Sequence, residues 1–460
     1  MITFSLFSVE HVRISELNFC DSLVCIELRG IWKHLRRTRV ISNEPEKKVD
    51  APEYRVDVKL RDVLLNPNER RGSAATALAE EEGLPEPVYP QYTYPRWPTE
   101  RQFHNAKAWR TWKSLGSPYF KHRLMPGQLQ PLIAYLFSEW KCNLDCHYCW
   151  SYDNSVKGMT DQTARKSIDW LHDTGNRFIA LMGGEPLLRP KFIHKICYYA
   201  AKKGFLTYLP TNGRLMKPDV IDRLGDGGLT AVNLAVDCID EKPGLAKALT
   251  PIRPYFEYLI KNMKKYSVSA FFNVCITRTN MDDVRALTEM AKDYDIGIDY
   301  HIVESPIIDA PHFKHLNENS TFLTPADYPR VDELIDWIIE KHKQGYKIVN
   351  QKTRLLQMKE FLRGHIEPWG CRAGRNTLII RTDGTLAPCF PMYSATHDWG
   401  TVGSPKFDKH QLTEMKKECE LHCFSTLNHI VSYVYNNGRV MRWILRHAKT
   451  GFTTAQGTVE

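Results

Sequence analysis

Nowhere does the 460-residue sequence carry an uninterrupted apolar run near the roughly 18 to 20 residues that a membrane-spanning helix needs. Met1 to Val9 lacks the positive flank, the apolar length and the cleavage site of a secretory signal. Together these absences predict a cytoplasmic protein. Cysteine is too sparse for a disulfide scaffold of this size, with 12 in the chain, and in a reducing compartment clustered cysteines more often bind metal. Long blocks of one charge are also missing. A net charge of +9 is mild for the length, reads as solvated surface and does not indicate a nucleic-acid partner. What remains is a globular composition, in which 43% apolar residues suffice for a core in two packed domains or one enlarged domain.

Residues 1–125 are the least readable part and receive no function. They hold a basic patch (Lys33, Arg36, Arg37, Arg39) and a segment punctuated by Pro85, Pro87, Pro90, Pro95 and Pro98. Such proline density prevents a regular element and reads as an extended arm or linker. From Pro131 short apolar runs alternate with amphipathic helical segments, the pattern of parallel strands with crossover helices. Strands are predicted at Leu132 to Phe137, Phe178 to Met182, Phe205 to Leu209, Ala231 to Val236, Ala270 to Ile276 and Ile296 to Val303. In the helix from Asp161 to Asp173, Ala164, Ile168 and Leu171 share one face, Thr160 can cap the start and Gly175 can end it. The next helix, about Lys191 to Lys203, stops at Gly204.

Six such units predict an α/β protein built on a partial (β/α)6 TIM-like barrel, with reactive groups at the C-terminal ends of the strands. The barrel is expected over residues 126–325, a helical connector over 326–364, a small second domain over 365–424 and a helical tail over 425–460. In the small domain, Thr377 to Arg381 and Leu386 to Pro388 flank an Asp383-Gly384 turn, the composition of a tight hairpin.

The chemistry starts just after the first strand, in Cys142-Asn-Leu-Asp-Cys146-His-Tyr148-Cys149. Cubane iron-sulfur clusters normally take four thiolates, so three closely spaced cysteines leave one iron open to a small molecule. Zinc is the main rival for a cysteine group, but its pairs usually come as two plus two with four ligands.

This spacing, with Tyr148 before the last cysteine, resembles the hallmark of the radical S-adenosylmethionine (SAM) superfamily, and the resemblance extends over about Leu132 to Val303. Three further motifs follow successive strands in order. Gly183-Gly184-Glu185-Pro186 resembles the family motif that takes the amino group of SAM's methionine. Thr211-Asn212-Gly213 falls where the family places polar contacts near SAM, and Asp237 near its ribose and carboxylate contacts. The family often has serine two residues before that acid, and this chain has Ala235. Lys242, Lys247 and Arg278 are candidates for the positive charge facing SAM's carboxylate, and each also reads as a solvated surface cation.

A second cysteine group comprises Cys371, Cys389, Cys419 and Cys423. Four ligands can close either an auxiliary cluster or a structural zinc site. Its first half resembles the opening of the SPASM and twitch domains that follow many radical SAM barrels. With no cysteine beyond Cys423, a one-cluster, twitch-like domain fits better than a two-cluster one. Cys197 and Cys275 read as buried small hydrophobes, and Cys238 as packing rather than a catalytic thiol. Cys20 and Cys25 lie in the unread arm. Asp299, Tyr300, His301 and Glu304 are candidates for shaping a substrate pocket. The helix from Arg439 to Lys449, basic and amphipathic, more often caps its own domain than lies on a membrane surface.

The resemblance implies an enzyme that uses a 4Fe-4S cluster to cleave SAM reductively, releasing a 5'-deoxyadenosyl radical that abstracts hydrogen from a substrate. It also implies a second, auxiliary 4Fe-4S cluster and an electron donor such as flavodoxin or ferredoxin. Oxidation or rearrangement of a peptide or small metabolite is the expected outcome. The rivals are a C-C bond-forming or lipid-modifying radical SAM enzyme, and a non-catalytic iron-sulfur electron-transfer protein.

Overall fold

A computed structural model describes residues 114, 116–124, 129–149, 152–304, 306–308, 315 and 319–436. The basic patch, the proline-punctuated segment, Cys20, Cys25 and the basic helix from Arg439 lie outside the described residues. The main elements begin with α1 (Ser117–Leu124), β1 (Ile133–Glu139), α2 (Asp161–Asp173), β2 (Phe178–Gly183), α3 (Pro190–Lys202), β3 (Leu206–Thr211) and α4 (Pro218–Asp226). Next come β4 (Ala231–Ala235), α5 (Arg253–Tyr266), β5 (Ser269–Ile276), α6 (Met281–Asp293) and β6 (Gly297–Ile302). After these come α7 (Tyr328–Lys343), α8 (Lys352–Leu362), β7 (Thr377–Ile380), β8 (Leu386–Ala387), α9 (Lys409–Cys419) and α10 (Thr426–Asn436).

Strands β1 to β6 lie side by side in chain order, each parallel to the next. Parallel neighbours need crossover connections, and helices supply them, which gives the partial (β/α)6 barrel. Local signals act where the sequence places them. The Thr160 hydroxyl accepts from the Thr163 amide at 3.1 Å to start α2, and Gly175 takes the left-handed conformation (φ 87°) just beyond its end.

The hairpin of the expected small domain is not detached from the barrel. β7 runs parallel along β1, from Ile133 opposite Thr377 to Leu136 opposite Ile380, and β8 pairs antiparallel with β7. Every residue of β7 is buried, so joining β1 satisfies its backbone and covers an edge that would otherwise be left open. The tight turn forms as expected, with Gly384 at φ 85° and the Asp383 carboxylate accepting from the Thr385 amide at 2.9 Å.

Strand alternation sorts the side chains into two layers. Leu136, Leu181, Leu234, Phe272, Val274 and Tyr300 pack in one continuous core that includes helix residues such as Ile168 and Leu287. On the opposite face Ile133, Tyr135, Phe137 and Ile379 pack with Tyr119 of α1 and with Val431 and Tyr435 of α10. Arg123 fastens α1 to α10 by donating to the Tyr119 hydroxyl at 2.7 Å and to the Tyr435 carbonyl at 2.6 Å. Tyr300 belongs to the helix-facing core, where its hydroxyl meets that of Thr288 at 2.7 Å. Its neighbours Asp299 and His301 therefore share the other face, toward the barrel interior.

Candidate active site

The end of β2 closes against the cysteine loop through contacts only glycine permits. A Cβ on Gly183 would stand 2.2 Å from the Glu139 carbonyl oxygen, and one on Gly184 2.3 Å from that of Lys141. The Gly184 amide donates to Glu139 O at 3.1 Å and the Glu185 amide to Lys141 O at 2.8 Å. These bonds fix the backbone that leads into Cys142, whose own amide donates to Asn154 Oδ1 at 3.0 Å. Further along, Cys149 N donates to Cys146 O at 2.9 Å and His147 N to Gly244 O at 3.0 Å.

Glu185 is fully buried, and its carboxylate accepts from the Leu187 amide at 2.9 Å, the Thr211 hydroxyl at 2.8 Å and the Asn212 amide at 2.8 Å. It thereby ties the end of β2 to the end of β3. Burial pushes its pKa up, while these donors and the charge of Lys247 pull it down. Pro186 opens a short 3-10 turn, Pro186–Leu188. Asn212 reaches back to the cysteine loop, its Nδ2 donating to Asn143 Oδ1 at 2.9 Å. Gly183, Gly184, Glu185, Pro186, Thr211 and Asn212 thus surround the start of that loop.

Asp237 is also buried. The Tyr148 hydroxyl donates to one of its oxygens and the Cys275 amide to the other at 2.8 Å. Burial raises its pKa, and Lys247 is the first of the groups that oppose the rise. The Lys247 ammonium stands 5.0 Å from the Tyr148 ring centroid. Burial alone would lower its pKa, yet Asp237 and the thiols of Cys146, Cys149 and Cys275 outweigh that and hold it above the usual range. The other two candidate cations are engaged elsewhere, Lys242 with Asp283 and Arg278 with Asp327 at 3.2 Å. Among the three, the structure brings Lys247 to the cysteines.

Burial pushes the Cys142 thiol to about 11 and the Cys146 thiol to about 12. Cys142, Cys146 and Cys149 lie within electrostatic range of one another. Cys275, read from sequence as packing, is a lumen residue of β5 within range of Asp237, Lys247 and Glu304. Cys238 is buried against the Leu245 carbonyl at 3.5 Å, as packing.

The second cysteine group also assembles. Cys371, Cys389, Cys419 and Cys423 lie within electrostatic range of one another, and burial pushes all four thiols up. Two amides donate to sulfur at 3.4 Å, Ala373 N to Cys371 and Ser425 N to Cys423. Lys416 of α9, its pKa lowered by burial, lies within range of Cys371, Cys389 and Cys419. Among the described residues, no three His, Cys, Asp or Glu side chains close at the spacing of a single metal ion.

Polar side chains lie within electrostatic range of both groups. His301 Nε2 lies 3.3 Å from Asp299 Oδ2. Glu304, past the end of β6, is pushed up to about 7 by burial, against the charges of Arg354 and His301. Arg354 of α8 is 3% exposed and lies within range of Glu304, Cys423 and Asp299. Sequence reasoning missed Arg354 because one cation in a helical segment carries no local sign of burial.

Residues 141–291 match the Radical SAM superfamily. The AdoMet-dependent heme synthase of Methanosarcina barkeri is 23% identical over 271 residues, covering 54% of this chain and 73% of that protein. The Fe-coproporphyrin III synthase of the same organism is 22% identical over 235 residues, covering 50% of this chain and 54% of that protein. Among solved structures, Streptococcus suis SuiB aligns with a TM-score of 0.49 at 14% identity, covering 62% of this chain and 68% of that one.

The family implies a 4Fe-4S cluster and SAM, and the donor set fits both. Three thiols from one loop leave one iron of a cubane open, and a half-buried ammonium within electrostatic range of them suits a carboxylate. Burial holds the Cys142 and Cys146 thiols protonated at neutral pH, so binding a cluster there would release protons. Residues 141–291 therefore form a radical SAM domain, and the protein that carries it is a radical SAM enzyme.

Proposed function

We propose that this enzyme oxidises or rearranges a small metabolite or peptide held in the barrel lumen, with an auxiliary cluster at the second cysteine group receiving the substrate's electron. Cys142, Cys146 and Cys149 would hold the first cluster, which when bound would supply the one-electron reduction that cleaves SAM to methionine and a 5'-deoxyadenosyl radical. Gly183 to Pro186, Thr211 and Asn212 would hold the methionine end of SAM, and Lys247 its carboxylate. Tyr148 and Asp237 would order the ribose side. Fixing SAM this way removes orientational freedom before the electron moves.

One observation carries this reading. Glu304 is within electrostatic range of Cys275, beside the first site, and of Cys423 in the second. A substrate lying beside Glu304 would reach both centres. Flavodoxin or ferredoxin would supply the reducing electron, in the cytoplasm. Because two relatives are named for porphyrin products, a porphyrin precursor belongs in the substrate assays beside peptides.

The test is a domain-specific loss. Anaerobic reconstitution should give about eight irons per chain, four for each cubane. With Cys389→Ala, 5'-deoxyadenosine should still form from SAM while product formation fails, at unchanged SAM affinity. About four irons plus one zinc, or turnover by a folded Cys389→Ala enzyme, would give the second site a structural role instead.

A further inference from the structure

Arg354 occupies an uncommon position for an arginine. It is almost wholly buried, and among the described residues no carboxylate stands at ion-pair distance from it. Its Nη2 donates to the carbonyl of Phe424, the residue after Cys423, at 2.5 Å. The guanidinium lies 3.2 Å from the centroid of the Phe424 ring, which packs in turn on Phe361 of the same helix at 4.7 Å. The cation is thus pinned against the backbone that carries a ligand of the second site. Its Nε is buried without a hydrogen-bond partner.

The groups facing Arg354 come from every neighbouring element. Asp299 and Glu304 approach from the barrel side, and Cys423 from the loop after α9. His429 approaches from α10, with its pKa pushed down to about 3 by burial and then by Arg354 itself. His429 is therefore neutral at physiological pH and adds no positive charge of its own. One fixed cation and one carboxylate, Glu304, act on Cys423 with opposite sign.

We propose that Arg354 is a positioning residue for electron transfer, a buried cation that raises the reduction potential of the cluster held by Cys371, Cys389, Cys419 and Cys423. Reduction adds one negative charge to a cluster. A cation fixed nearby in a medium of low dielectric stabilises the reduced state more than the oxidised one, which raises the potential. Glu304, when ionised, pulls the potential the other way, so the two bias in opposite directions how readily the cluster accepts an electron from the lumen, on top of the fixed contribution of Lys416 near the other three cysteines. The inference rests on the proposed second cluster, and its test separates the two.

The full chain carrying Cys142→Ala, Cys146→Ala and Cys149→Ala leaves the second site as the sole cluster to titrate with dithionite under EPR. In that background Arg354→Gln should shift the midpoint to lower potential at equal iron content, Arg354→Lys should restore most of the shift, and Glu304→Gln should raise the midpoint when the titration is run well above pH 7, where Glu304, with its pKa pushed up to about 7, is ionised. An unchanged midpoint in Arg354→Gln, with an intact cluster signal, overturns the inference and spares the second cluster. A parent that binds zinc and gives no cluster signal overturns both. If Arg354→Gln fails to hold its cluster, Glu304→Gln decides: a raised midpoint supports the account and an unchanged one overturns it.

Discussion

Lys247 holds its ammonium 5.0 Å from the centre of the Tyr148 ring, while the hydroxyl of that ring donates to Asp237. The aromatic position of the cysteine motif is thereby joined to the acid that follows β4, with the cation beside both. Two loops far apart in sequence become one surface.

If that surface receives SAM, Lys247→Met should weaken SAM binding about 10- to 100-fold, the range of a lost charge-assisted hydrogen bond of roughly 1.5 to 3 kcal/mol. Iron content should not change, because no thiol is removed. Lys242→Met and Arg278→Met should bind SAM within about twofold of the parent, since those cations serve Asp283 and Asp327. Equal losses in all three variants would refute the assignment. Equilibrium dialysis against labelled SAM makes the comparison.

Glu185 invites a different expectation. Its carboxylate satisfies three buried donors, so Glu185→Ala should cost stability as well as SAM affinity. Each orphaned buried donor costs about 1 to 3 kcal/mol, and a total loss near or above 3 kcal/mol should appear in urea unfolding. Glu185→Gln keeps two acceptor lone pairs and should lose markedly less. A Glu185→Ala protein of parental stability would show that water replaces the carboxylate at no cost.

Much of this architecture was legible in the sequence because its signals are local. Hydrophobic runs placed all six barrel strands within a few residues of their observed limits, and Thr160 and Gly175 bounded α2 as expected. The cysteine loop and the glycine pair are contiguous motifs, so their juxtaposition follows once β1 and β2 are neighbours. Lys247 could not be singled out, because it returns to the site only when the segment after β4 folds back and Asp237 N donates to Lys247 O at 2.8 Å. Cys275 was open to a finer reading, since Asn273 and Cys275 alternate with Phe272, Val274 and Ile276 and so face the lumen. Arg354 depends on packing against Phe424, some seventy positions away, which no periodicity encodes.

A pH dependence should come from His194 in α3. It is buried beside Arg223, and burial followed by that charge pushes its pKa from 6.5 down to about 4. A base with a depressed folded pKa contributes stability above pH 6.5 that is lost as pH falls toward 4. The slope is at most about 1.4 kcal/mol per pH unit. Unfolding free energies at pH 7.5 and 5.5 should differ more in the parent than in His194→Gln, and parallel curves would remove His194 as the cause.

Gly184 offers the most direct test of how the fold makes the site. Adding a Cβ puts it 2.3 Å from Lys141 O and 3.0 Å from Cys142 N, both backbone atoms. No rotamer change relieves a clash with backbone, so the loop must move, at the roughly 1 to 3 kcal/mol typical of overpacking. The bond from Glu185 N to Lys141 O at 2.8 Å should lengthen or break with it, displacing Cys142. Gly184→Ala should therefore lose iron selectively from the first site, near four irons per chain retained at the second, and 5'-deoxyadenosine formation should fall in step. Gly175→Ala, where nothing lies within 4 Å of the added Cβ, meets only the backbone strain of φ 87° at a helix end. It should cost stability without changing iron at either site, so equal iron loss in both variants would mean that general destabilisation, not the close approach at Gly184, empties the site.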